Sequence, residues 1–494
     1  MTEEHTGGTA ERLRRDKERK VDALREQGVD PYPYGYARDA TAAECHERAA
    51  AWIAEERTVS LAGRLMSQRV MGKTSFGHLQ DRSGRLQLFL RKDELGEESY
   101  RRFVKLVEPG DHLGAQGRLF VTRTGELSLR VESWTLLAKA LLPLPEKFHG
   151  LQDPELRARQ RYLDLVVNED VRALFERRSR ILRFIRGFFD ARGFMEVETP
   201  VLQGLYGGAT ARPFRTRLNA LDLDLYLRIA EELHLKRLIV GGLERVYEIG
   251  RIFRNEGMDR SHNPEFTMLE TYVAYWDYHD MAAFVEELFA GLVTELAGSP
   301  RLVFGETELD FTPPWPRVDY YEALAEAAGR DLREVDDSAL RALAAERGIE
   351  VDPAWHRGRL LDAFCAKLVE PALLQPAFLV DHPQAISPLA KAHREKPGQV
   401  ERFEVFAAGV ELGNAFSELN DPDEQRRRFE QQMGLRAKGD EEAQVLDEDF
   451  LRALEVGMPP TAGLGVGVDR LVMLLTGTPH IRDVLLFPMM RPEA

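Results

Sequence analysis

Between residues 57 and 140 hydrophobic and polar positions alternate in short runs broken by turn residues, the period-two pattern of half-buried strands. The runs VSLAGRL (59–65), SFGHLQD (75–81), RLQLFL (85–90), HLGAQGRLFV (112–121) and LSLRV (127–131) predict five strands, with Arg82-Ser83-Gly84 and Arg123-Thr124-Gly125 as turns. Five such strands in so short a span suggest a small closed barrel of the oligonucleotide-binding kind (OB-fold), although other small barrels give the same string. Beyond the linker LLPLPEKFHG (141–150) the period lengthens to that of a helix. Val171, Leu174, Phe175, Ile181, Leu182, Ile185, Phe188 and Phe189 share one face of 171–192, and Gly193 ends it. MEVETP (195–200) reads as a strand running to Pro200, and strands and a helix alternate over 221–272. Residues 320–375 read as a helical insertion; 402–421 is mixed, and 463–475 is a glycine-punctuated strand entering a helix. The expected organisation is an N-terminal helical extension (1–56, with a charged helix over 11–27), a barrel (57–145) and an α+β domain (146–494).

Composition narrows the class only a little. The chain has 494 residues, 44% of them hydrophobic, with a formal net charge of −15 and a pI near 5.5. Such a charge leaves room for a local basic patch, so nucleic acid is not excluded as a partner. Two distant cysteines, Cys45 and Cys365, argue against a disulfide scaffold or a structural zinc site and fit a reducing compartment. No apolar run reaches membrane-span length and the N-terminus lacks a signal-peptide core, so a cytoplasmic protein without a membrane is expected.

The chemistry concentrates in RVYEIGRIFRNEGMDRSHNPEFTMLETY (245–272), read as strand, polar loop, strand. By period two Glu248, Ile252, Arg254 and Glu256 share one face, as do Phe266, Met268, Glu270 and Tyr272. Burying so many polar groups on one face is costly without a ligand, although any one of them alone reads better as an exposed, salt-bridged edge. Near the C-terminus GLGVGVDRLVMLL (463–475) lets backbone pass close to a ligand and places Arg470 where strand meets helix.

In order and separation these segments resemble the three signature motifs of class II aminoacyl-tRNA synthetases. The helix and strand ending at Pro200 look like the dimerising first motif, FRNEG…HNPEFTMLETY like the second, and GLGVGVDR like the third. The preceding barrel is similar to the anticodon-binding domain of the lysine, aspartate and asparagine subgroup. KFHGLQDPELRARQRYLDL (147–165), GGATARPF (207–214), EELHLKRLIVGG (231–242) and GVELGNAFSELND (409–421) resemble its lysine-specific members. The sequence departs from their common form at Glu231 and His234, where proline or a small residue and tyrosine are usual.

The resemblance implies an enzyme that uses ATP and Mg2+ to form lysyl-adenylate and then transfers lysine to the 3' end of tRNA(Lys), built on an antiparallel sheet and working as a homodimer. Carried over residue by residue, Arg254 and Arg470 are the catalytic arginines. ATP would meet Arg254, Glu256, His262, Phe266, Glu404, Glu411, Gly467 and Arg470, with Glu404 and Glu411 holding the metal. Lysine would meet Gly208, Glu232, Arg254, Glu270, Tyr272, Asn414 and Glu418. In the barrel, Phe76 would stack on an anticodon base, and Arg69, Gln87 and Glu126 would read base edges. Three other readings compete: an aspartate or asparagine enzyme, which acidic Glu232, Glu270 and Glu418 disfavour; a protein-lysylating relative, which would lack the barrel; and a non-catalytic tRNA-binding descendant, in which Arg254, Glu404, Glu411 and Arg470 would be expected to decay.

Overall fold

The computed structural model describes residues 3–145, 151–437 and 443–492. The end of the linker and the beginning of the KFHGLQDPEL segment, residues 146–150, lie outside the described residues. The chain divides into two units, residues 1–150 and 151–494.

In the first unit β1 (Thr58–Met71), β2 (Thr74–Gln80), β3 (Arg85–Arg91), β4 (His112–Val121) and β5 (Leu127–Ala138) close into a barrel in the order β1-β2-β3-β5-β4, with β4 pairing back onto β1. Each expected strand is present, and β1 and β5 run further than the sequence pattern suggested. Alternation buries Leu61, Leu65, Leu86, Leu88, Leu90, Leu113, Leu129 and Val131 inside. The segment before the barrel packs on it, since Leu24, Ala40, Cys45 and Trp52 join the same core. On the N-terminal helix Arg14 and Arg15 are spent on ion pairs with Glu18 and Glu11 of the same helix.

The second unit is organised by one large sheet. Its strands are β6 (Met195–Glu196), β10 (Arg245–Phe253), β11 (Glu265–Ala274), β14 (Arg317–Asp319), β15 (Ala377–Val380), β16 (Arg402–Ala407), β17 (Val410–Ser417) and β18 (Thr461–Gly467). Between them in sequence, β7 (Leu202–Gln203), β8 (Arg215–Leu218) and β9 (Leu223–Leu227) make a small separate sheet, and β12 (Arg301–Phe304) with β13 (Thr307–Asp310) makes a hairpin. The large sheet runs β14-β15-β16-β17-β18-β11-β10-β6. Its centre is antiparallel as expected, but the outermost pairs at both edges, β14 with β15 and β10 with β6, are parallel. The helical stretch 320–375 is the crossover joining the parallel pair β14 and β15, which is the kind of connection a parallel pair requires.

One face of the sheet is the core. Leu269, Val273, Leu464, Val466, Phe403 and Val405 pack there against the helices Glu169–Asp190 and Tyr278–Ala297. The predicted helix is confirmed, with Val171, Ile181, Ile185, Phe188 and Phe189 buried and Gly193 at φ 73° beyond its end. Its apolar face is therefore occupied within the chain. The expected strand 195–200 shrinks to Met195–Glu196, because Thr199 turns away to bond Glu248. Among the described residues no helix is long and apolar enough to cross a membrane.

Candidate functional site

The opposite face of the sheet floors a cavity of about 350 Å³. Its shape follows from the register. Tyr272 of β11, Gly463 of β18 and Phe416 of β17 stand in one row across the strands, and Glu270, Gly465 and Asn414 in the next. Leu464 and Val466 alternate to the core side, so on the cavity side β18 presents only glycines. The result is a trough between side chains leaning in from β11 and β17. A Cβ on Gly463 would lie 2.0 Å from Glu418 Oε1 and 2.5 Å from the Tyr272 ring, so this position cannot carry a side chain without closing the trough.

At one end of the cavity sit the acids. Glu232 opens the helix Glu232–Val240, Glu270 projects from β11, and Glu418 follows β17 by one residue; they are 6%, 3% and 1% exposed. Tyr272 donates its hydroxyl to Glu270 at 3.1 Å. Burial, reinforced by Glu232, pushes the Glu270 carboxyl up to about 7, although Tyr272 and Glu231 pull against it. Glu418 is raised well above the usual carboxylate range by burial, which outweighs the nearby Lys236, with Glu232 and Glu270 adding to the rise. Its Oε1 has no hydrogen-bond partner among the described residues. Buried acids driven toward their protonated forms are poised for a cationic ligand, which would restore their charge.

At the other end the loop between β10 and β11 is held in shape. Asp259 accepts from the backbone N–H groups of Ser261 and His262 and lies 2.8 Å from His262 Nδ1. Arg470 donates to His262 Nε2 at 3.0 Å, so that nitrogen is the acceptor and Nδ1 carries the proton toward Asp259. The other arm of Arg470 reaches Glu411 Oε2 at 3.0 Å. Arg254 leaves the end of β10, its guanidinium 5.2 Å from the centre of the Phe266 ring. Asp469, next to Arg470, accepts from Thr267 N–H at 2.7 Å and pairs with Arg178, which fixes the third sequence segment against the second.

The cavity thus gathers Gly208, Glu232, Arg254, Glu256, His262, Phe266, Glu270, Tyr272, Glu411, Asn414, Glu418, Gly467 and Arg470. Glu404 is not among its lining residues: it is paired with Arg402 at 2.5 Å and lies 3.4 Å from His382. Burial raises its carboxyl, but His382 and Arg402 more than offset this and hold it at about 2. Two residues share the polar face but do not line the cavity. Glu248, opposite Glu270 in register, is covered by Thr199 and Arg228, and Ile252, opposite Phe266, is fully buried. Among the described residues no three His, Cys, Asp or Glu side chains converge to hold a metal ion.

The sequence pattern missed Arg402, which lines the cavity and donates Nε to Asn414 Oδ1 at 2.8 Å; its place two residues before Glu404 on one strand was the available signal. It also missed Lys236, four residues after Glu232. The two departures from the common form are not among the cavity's lining residues, although Glu231 touches Glu270. Glu231 is buried beside Arg228 at 3.2 Å, where Gly250 leaves it room, since a Cβ there would come within 2.6 Å of Glu231 Oε1. His234 Nδ1 meets Gln203 Nε2 at 3.3 Å.

On the barrel, Phe76 and Phe89 are cross-strand partners with ring centres 5.0 Å apart, and Phe120 continues the row 5.4 Å from Phe89. Arg69 pairs in register with Phe76, and Glu126 lies 3.0 Å from His78 Nε2. Gln87 is 9% exposed and its oxygen accepts from Ser128 at 2.7 Å, which leaves its amide N–H groups as the end for an outside partner.

A barrel of this order in one unit and, in the other, a glycine-floored antiparallel sheet carrying arginines and acids together define the class. The chain belongs to the tRNA synthetases class II (D, K and N), whose family model matches residues 153–491, and residues 59–137 match the OB-fold nucleic acid binding domain. It is 54% identical over 477 residues to the lysine–tRNA ligase of Moorella thermoacetica, covering 96% of each chain. To that of Pelotomaculum thermopropionicum it is 50% identical over 484 residues, 97% of this chain and 95% of the relative. To that of Aquifex aeolicus it is 53% identical over 441 residues, 88% and 74%.

Proposed function

We propose that the protein is a lysine–tRNA ligase: it activates lysine with ATP to lysyl-adenylate and pyrophosphate, then passes lysine to the 3' end of tRNA(Lys). The observation that carries the choice of amino acid is the convergence of buried Glu232, Glu270 and Glu418 on one cavity. An aspartate side chain would meet only repulsion there. Glu232 and the Gly208 backbone receive the α-ammonium, and Glu270, Glu418 and the Tyr272 hydroxyl the ε-ammonium. Asn414 borders the same pocket. Arg254 bridges the lysine carboxylate and the α-phosphate, for which its planar fork is suited. Adenine lies between Phe266 and Arg470, with Glu256, His262 and the Gly467 backbone beside the nucleotide.

No side chain acts as nucleophile. The lysine carboxylate attacks the α-phosphorus and displaces pyrophosphate; the terminal ribose hydroxyl of tRNA then attacks the adenylate's carbonyl carbon, forming the ester and displacing AMP, with the hydroxyl proton released. The arginines align the reactants and offset developing charge. Glu404 and Glu411 would hold Mg2+, which supplies charge neutralisation at the phosphates when bound. Carboxylates suit a hard cation that takes its remaining ligands from phosphate and water, and Glu370, raised to about 8 by burial and by both Glu404 and Glu411, lies near the pair. The barrel reads the anticodon, with Phe76 as stacking platform and Arg69, Gln87 and Glu126 at base edges.

The active form is a homodimer. With the helix face buried, the surface that supports this is the exposed apolar set Met195, Leu202, Leu218 and Leu223 around β6 and the small sheet; an active monomer in sedimentation at micromolar concentration would overturn it. A cytoplasmic setting suits the two free, buried cysteines. The deciding experiment is amino-acid-dependent ATP–pyrophosphate exchange across all amino acids. Lysine should support it far above the rest, and exchange with another amino acid or none would refute the reading.

A further inference from the structure

Behind the acidic end of the cavity lies a cation to which no step above gives a role. Lys236 is fully buried on the helix Glu232–Val240, and it does not line the cavity. Its ammonium contacts Glu232 Oε1 at 2.6 Å and is ion-paired with Glu418 Oε2. The rings of Phe416 and Phe450 lie 5.4 and 5.9 Å from it, so it is enclosed by aromatic faces as well as by acids. The remaining oxygens point the other way. Glu232 Oε2 lies 3.7 Å from where a Cβ on Gly208 would stand, and Glu418 Oε1 faces Gly463 and Tyr272 without a hydrogen-bond partner.

We propose that Lys236 is a positioning residue for lysine selection: from behind the pocket it takes one oxygen of Glu232 and one of Glu418, and so aims the other oxygen of each at the two ammonium groups of the substrate. The inference rests on the function proposed above and deepens it. Charge balance supports the assignment. With Arg402 offset by its partner Glu404, Glu232, Glu270 and Glu418 against Lys236 and Arg254 leave the pocket with one net negative charge when all are ionised, which matches a ligand with two ammonium groups and one carboxylate. Without Lys236 the same acids would carry a second uncompensated charge. Glu270 and Tyr272 from β11 and Arg402 from β16 also face this cluster, and Arg402 is the more remote cation acting on Glu232.

The sign of the effect follows. Lys236 holds the carboxyls of Glu232 and Glu418 lower than burial alone would set them. Removing its charge lets both rise, so they take up protons and lose their hold on ammonium at neutral pH. That hold returns as pH rises.

The test compares wild type with Lys236→Met, which keeps length without charge, Lys236→Gln, which keeps a donor without charge, and Lys236→Arg, which keeps charge. Lysine KM and ATP KM are read by pyrophosphate exchange from pH 6 to 8.5, with lysine protection against thermal unfolding as a readout independent of turnover. For Lys236→Met and Lys236→Gln, lysine KM at pH 7 should rise at least tenfold. The pH at which lysine binding is half restored should move up by about one to two units. ATP KM should stay within about threefold, and Lys236→Arg should bring the pH profile back toward wild type. Should the methionine variant not fold, the glutamine variant decides. A charge-free variant whose lysine pH profile coincides with wild type, even with kcat reduced, would overturn the proposal and leave Lys236 a packing residue. A wild-type enzyme that fails to activate lysine would instead sink the parent reading.

Discussion

Replacing Glu418 by glutamine changes one atom's charge in a site whose geometry is otherwise kept. In the empty pocket Oε2 is engaged by Lys236 and Oε1 stands unpartnered beside Gly463 and the Tyr272 ring. Glutamine must aim its N–H2 either at the Lys236 ammonium or at the incoming ε-ammonium, and in both cases a donor faces a donor. Breaking a buried ion pair by removing one partner costs about 3–5 kcal/mol. At about 1.4 kcal/mol per decade, lysine kcat/KM should fall by roughly two to three and a half orders of magnitude. ATP KM should change little, because Arg254, Phe266 and Arg470 at the other end of the cavity are untouched. Norleucine, which has the chain length but no ammonium, leaves both Glu418 and Glu270 without their cation in wild type and only Glu270 in the variant. The lysine-to-norleucine ratio in pyrophosphate exchange should therefore shrink by at least about a hundredfold. A ratio unchanged within about threefold would mean that Glu418 does not read the side chain.

Because burial and Glu232 push Glu270 up to about 7, it holds a proton in the empty pocket below that pH; lysine KM should fall as pH rises from 6 to 8. The same raised value favours the empty folded state at low pH and is lost as pH rises through about 7, so the thermal shift produced by lysine should be larger at pH 8 than at pH 6. Phe76→Ala and Gln87→Ala should weaken tRNA charging by about 1–3 kcal/mol for the stacking contact while lysine adenylation stays near wild type; equal damage to both half-reactions would refute a separable barrel. Glu404→Gln and Glu411→Gln should each raise the magnesium concentration needed for half-maximal adenylation, and unchanged titrations in both would remove these residues from the metal site.

Period two in strands was the most legible feature. It placed Phe266, Met268, Glu270 and Tyr272 on one face, and β11 carries them there. The same rule put Glu248 and Ile252 on that face, and they lie there opposite Glu270 and Phe266, yet neither lines the cavity. Strand periodicity gives the face of a sheet and not what covers it, and Arg228 and Thr199 close over Glu248. The five barrel strands were readable because each is short, local and bounded by turn residues. The parallel edge pairs were not, since β14 and β15 meet across a long helical crossover that no local pattern encodes. Glu404 shows the limit of motif matching, because its spacing to Glu411 is evident in the sequence but its pairing with Arg402 depends on the fold. Lys236 was within reach: an acid followed four residues later by lysine on a helix predicts the pair, though not its second carboxylate from β17.

The position of β18 bears on how the molecule is made. Among the described residues it comes last of the strands in sequence, Thr461–Gly467, yet it lies in the middle of the sheet between β17 and β11. During synthesis the barrel emerges whole and can fold early, as N-terminal domains generally do. The catalytic sheet must wait, with the facing edges of β11 and β17 unpaired and open to other strands until the final stretch leaves the ribosome. A ribosome stalled before residue 461 would release a product with a finished barrel, no trough to hold substrate, and two bare edges inviting aggregation.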